Sequence, residues 1–126
     1  MSHGKVAIDN TTLIVVAFAA AKAMRTNGAF TRRGLSYDAE GNTASVWSDQ
    51  AVQRCALGWV LKTSYDFLRL TEKRTQPAYR IAQLISEHVA VLTGCTLVQL
   101  GDDVGAEAAA EALFRVGLQL AKDEGW

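Results

Sequence analysis

The stretch from Ser48 to Leu61, S-D-Q-A-V-Q-R-C-A-L-G-W-V-L, constrains the fold more than any other part of the chain. Ser48 is a residue type that caps helices by accepting a free backbone N–H. Asp49 adds negative charge where a helix dipole is positive. From Ala51 onward only Gln53 and Arg54 interrupt the apolar run. A helix that is apolar nearly all round belongs in the middle of a packed domain. Ala51, Cys55 and Gly58 recur at i, i+4 and i+7, a strip of small side chains along which another backbone can approach closely. The expectation is a central helix that starts at Ser48 and continues past Lys62 towards Leu68 or Leu70, with Cys55 in its middle.

A chain of 126 residues is long enough to close one core over residues 1–126 without metals or disulfides. Its hydrophobic content of 49% argues against disorder, and the single proline, Pro77, agrees with long uninterrupted helices. The 13 basic and 13 acidic residues balance, which argues against a dedicated nucleic-acid binder. That balance hides a gradient. Residues 54–80 carry six cations against Asp66 and Glu72, whereas residues 81–126 carry seven acids against Arg115 and Lys122. Patches of opposite sign can steer self-association or a charged partner, although ordinary solvated helix faces look the same.

Cys55 and Cys95 lack the spacing of a zinc site, so both read as free thiols of a reducing compartment. The apolar run from Leu13 to Ala21 is too short to span a bilayer, and no signal-peptide pattern precedes it. A cytoplasmic protein is expected.

Three further helices follow from periodicity and punctuation. The first, over Thr12 to Arg25, is capped by Asp9, Asn10 or Thr11 and stopped by Asn27-Gly28. Another runs from Pro77 to Leu92 with the stripe Ile81, Leu84, Ile85, His88 and Leu92, and ends at Thr93-Gly94. The last covers Ala106 to Lys122, with Asp102 or Asp103 as its cap, Leu113 and Leu120 inward and Glu107 and Glu111 outward. Between the second and last, Cys95 to Leu100 reads as a short strand or an extended connector. The architecture expected is mainly α, one domain of about four packed helices. Residues 28–47 after the first helix form either a small β-hairpin around Ala39 to Asn42 or an irregular loop.

That 28–47 segment also holds the cluster best suited to binding. Arg32 and Arg33 lie among Phe30, Tyr37 and Trp47, and guanidinium groups beside aromatics suit phosphate or other anionic ligands. Arg32, Arg33, Tyr37 and Trp47 are therefore the candidate ligand-binding residues. The plainer reading is a loop held over the core by its aromatics, with the arginines in water. His88 on an apolar stripe reads as a core histidine, and Cys55 in mid-helix reads as packing rather than as a nucleophile. Asp102-Asp103 reads as a capping turn, since no calcium-loop pattern accompanies it. No catalytic residue, metal site or cofactor motif is assigned.

At three points the sequence resembles a family of small uncharacterised bacterial proteins known only as a domain of unknown function. Gly28-Ala29-Phe30 with Arg32 matches its G-A-F/Y element, with Arg25 and Arg33 standing where the family has Trp and Asp. Cys55-Ala56-Leu57-Gly58 matches its C-A-L-G element, and Asp102 is the aspartate of its W-N-D element, after Leu100 and Gly101. The resemblance spans about residues 10–122 and implies a shared fold, with no known activity. Taken together, the residues point to a small non-enzymatic interaction module that self-associates or takes a protein partner. The alternative is a binder of a phosphorylated or anionic small molecule through residues 28–47.

Overall fold

The computed structural model describes residues 8–32 and 34–126. Arg33, one of the candidate ligand-binding residues, lies outside the described residues. Helix α1 spans Asn10–Met24 and begins as its sequence dictates, with Asp9 Oδ1 accepting the Thr12 N–H at 2.9 Å. It is followed by β1 (Ser36–Asp38), β2 (Ala51–Arg54) and α2 (Ala56–Phe67). Then come α3 (Gln76–Thr93), a single turn α4 (Leu97–Gln99), a π-helical turn over Leu100–Val104, and α5 (Ala106–Asp123). The four long helices share one core, with Ile14, Met24, Leu61, Ile81, Ile85, Leu97 and Leu113 fully buried. Helix α1 packs most extensively on α5, and α2 packs on both α1 and α3.

The structure corrects the expected central helix. Ala51–Arg54 is a strand, paired antiparallel with β1 in the register Ser36↔Arg54 and Tyr37↔Gln53, with a bulge before Asp38↔Ala51. Helix α2 starts at Ala56, eight residues after the expected start at Ser48, and Cys55 is its N-cap, not a mid-helix residue. The Cys55 Sγ accepts the Gly58 N–H at 3.4 Å. Ser48 does cap, but only locally: its Oγ accepts the Gln50 N–H at 3.0 Å, closing a turn instead of opening a helix. The physical reason lies with Arg54. Its guanidinium reaches back to the Val46 and Ser48 carbonyls, which a continuous helix through residues 48–54 would carry away along its axis. A strand followed by a helix reads in sequence as one apolar run, because periodicity does not separate short buried elements.

Other expectations hold. Gly58 does admit a neighbouring backbone: a Cβ built there would lie 2.7 Å from the Leu35 carbonyl oxygen, which accepts the Cys55 N–H. The turn around Ala39 to Asn42 is present, because Asp38 Oδ1 accepts the N–H groups of Glu40 and Asn42 at 3.0 and 2.9 Å. Tyr37 then bridges Thr43 on one side and pairs with Gln53 on the other, so β1 is flanked on both edges. Gly94 ends α3 in the left-handed region, with its N–H on the Ala90 carbonyl.

Three local expectations are corrected. Cys95 to Leu100 is neither strand nor connector: Thr96 and Gln99 form a reciprocal capping box that starts α4. Neither Asp102 nor Asp103 caps α5, whose N-cap is Gly105 at φ 126°, a conformation that side chains disfavour. His88 is exposed, because α3 buries Ala78, Ile81, Ala82, Ile85 and Val89 and turns position 88 outward.

Candidate functional site

Two buried cations organise the segment between the strands. Arg54 is only 2% exposed. Its Nε donates to the Val46 carbonyl at 3.0 Å, its Nη2 donates to the Ser48 carbonyl at 2.8 Å, and its guanidinium sits 4.7 Å from the Trp59 ring. Burial lowers its pKa, opposed by the charges of Asp66 and Asp49. Lys62, on the next turns of α2, donates through Nζ to the Trp47 carbonyl and to the carboxylates of Asp49 and Asp66, all within 3.0 Å. Burial pulls the ammonium pKa down, yet the two carboxylates more than offset this and it ends up raised. Both side chains therefore hold the 46–49 backbone against α2. Sequence reasoning missed them, although Lys62 and Asp66 at i, i+4 and one cation inside an apolar run were visible signals.

The candidate binding residues meet different neighbours. Arg32 reaches the far end of the π turn, where its Nη2 donates to the Val104 carbonyl at 3.0 Å and takes the space a Cβ on Gly105 would need. Tyr37 lies in β1 with its hydroxyl over Gly34. Trp47 stacks on Tyr65 of α2 at 5.0 Å and meets the edge of Tyr79 of α3 at 5.6 Å. Arg32 thus acts as a strap between the loop and the start of α5, while Trp47 fastens the loop to α2 and α3.

Residues 28–30, 55–58 and 100–102 converge around the start of α2. The Ala29 carbonyl accepts the Trp59 indole N–H at 2.8 Å, and the Arg54 N–H donates to the same oxygen at 3.0 Å. A Cβ on Gly101 would lie 3.3 Å from both the Ala56 Cβ and the Phe30 ring, so the π turn sits close against both. Cys55 occupies this junction. Burial raises its thiol pKa, and the Asp102 carboxylate adds to the rise against the opposing Gly58 and Leu57 N–H groups. The thiol is therefore held protonated at neutral pH, the reverse of an activated nucleophile.

A second surface was not anticipated. On α5, Phe114 and Leu118 lie one turn apart outside the buried stripe and remain 38% and 49% exposed. Phe114 leans on Phe18 of α1, with ring centroids 5.3 Å apart, and Phe18 in turn packs over Gly117. Leu118 lines a shallow open depression of about 220 Å³ together with Leu92, Arg115, Gln119 and Lys122. Glu111 and Lys122 bracket this row. At its start, Arg25 forms a bidentate ion pair with Glu107, at 3.1 and 3.0 Å, and a longer contact of 3.4 Å with Glu111. The sequence signal was an apolar pair at i, i+4 displaced from the main stripe.

Among the described residues no group of three or more His, Cys, Asp or Glu side chains is placed to hold a metal ion, and no single helix is long and apolar enough to cross a membrane. No protein-family model, curated protein or solved structure matches the chain.

Proposed function

We propose that the protein is a small, non-enzymatic intracellular interaction module that associates with itself through the outward face of α5. The observation that carries this reading is the apolar row Phe114–Leu118. It stands outside the buried stripe of its helix, continues onto Phe18, and is bordered by charges of both signs. Large apolar side chains gathered on one face, rimmed by polar ones, are the composition of an association surface. The protonated state of Cys55 supports a non-catalytic role for the one thiol at a helix start.

The test is the concentration dependence of thermal unfolding. Association of folded chains raises the melting temperature with protein concentration. The wild type is expected to show that rise, and Leu118→Glu, which places a charge in the centre of the row, is expected to abolish it while the far-ultraviolet circular dichroism stays the same. A melting temperature independent of concentration in the wild type would remove the reading.

A further inference from the structure

Building on the self-association proposed above, we infer that the partner of this face is a second copy of the chain docked antiparallel about a two-fold axis. In that arrangement the two Leu118 side chains flank the two-fold axis, offset by about 4.5 Å along the helix, and Glu111 of each copy pairs with Lys122 of the other. The inference rests on the order of charges along α5. An isologous interface demands a surface complementary to itself when turned end for end. Glu111 and Lys122 lie equally far, in opposite directions, from the midpoint between Val116 and Gly117. At a rise of about 1.5 Å per residue they are separated by about 16 Å along the helix, and reversal brings each acid level with the other copy's base.

Their angular positions agree with this. Successive residues of a helix turn by about 100°, so Glu111, Leu118 and Lys122 fall within about 40° of one another on the outward side. Phe114 flanks this line towards α1, where it already leans on Phe18, and Arg115 flanks it on the opposite side. The parallel alternative would set Glu111 level with Glu111 and Lys122 level with Lys122, which repels. Glu111 is also accessible, with its side chain 56% exposed and only the longer of Arg25's contacts on it, while Lys122 makes no ion pair among the described residues.

Charge exchange tests this by sedimentation velocity on four proteins: the wild type, Glu111→Lys, Lys122→Glu and the double exchange. Both side chains are exposed, so each variant keeps its core. Each single exchange sets two like-charged pairs in the dimer and is expected to weaken dimerisation by about tenfold, whereas the double exchange restores it to within about threefold. A double exchange as weak as the single ones, with the wild type dimeric, would overturn the antiparallel pairing and leave self-association standing. A wild type that sediments as a monomer at every concentration would overturn both.

Discussion

At the scale of single residues, Gly58 and Arg54 show how a local requirement decides the placement of an element. The Leu35 carbonyl and the Arg54 Cβ lie 2.7 and 3.1 Å from where a Cβ on Gly58 would stand. Gly58→Ala therefore forces β1's approach apart, and a loss of about 1–3 kcal/mol is expected in urea unfolding. A change below 0.5 kcal/mol would mean that the loop yields freely. The small-residue strip was legible in the sequence at Gly58. Its companion Cys55 was read in the wrong setting, because nothing in the local pattern marks Arg54 as a residue that must turn back to the Val46 and Ser48 carbonyls. Cys55 gives a pH prediction. Its pKa is raised above the ordinary 9.0, so the folded chain holds the proton more tightly than the unfolded chain does. That contribution to stability is complete below 9.0 and is lost as pH rises through the raised value. The urea midpoint is therefore expected to fall more steeply above pH 9.0 in the wild type than in Cys55→Ser. Parallel profiles would contradict the burial argument.

At the scale of elements, the helices that announced themselves were those with strong punctuation. Asp9 before α1, Pro77 in the first turn of α3 and Gly94 after it each supply a start or stop signal that acts within a few residues. The strand β2 and the π turn were hidden because they depend on distant partners: β2 on Ser36 and Tyr37, the π turn on Phe30 and Arg32. The end of α2 is a further case. Leu70 N–H bonds the Tyr65 carbonyl and Arg69 N–H the Asp66 carbonyl, a closing motif in which position 69 takes φ 53°. Glycine usually fills that position, and Arg69 is the one non-glycine residue at positive φ among the described residues. Arg69→Gly is accordingly expected to stabilise the protein by about 1 kcal/mol in thermal or urea unfolding. A destabilisation would show that the Arg69 side chain makes a contribution larger than its backbone cost. Lys62 fastens the loop to the same helix, and Lys62→Met, which keeps the stem and removes three hydrogen bonds, is expected to cost about 1–3 kcal/mol. It should also increase amide exchange over residues 46–50, and unchanged exchange there would deny Lys62 its anchoring role.

At the scale of the whole molecule, the helical class, the single core and the segment inserted after α1 were all legible, since they follow from the 3.6-residue period and from glycine placement. The outward row on α5 was not, because Phe114 and Leu118 add a second apolar strip to a helix whose first strip already accounts for its burial. The candidate cluster of Arg32, Tyr37 and Trp47 was grouped by nearness in sequence, and the fold distributes it among the π turn, β1 and the α2–α3 aromatics. The face of α5 is exposed, apolar and bordered by charges of both signs, and the account stands on that face being covered by another copy. Light scattering of the wild type across a broad concentration range measures this most directly. The account predicts a mass approaching twice the 13.6 kDa of one chain as concentration rises, and 13.6 kDa throughout would contradict it.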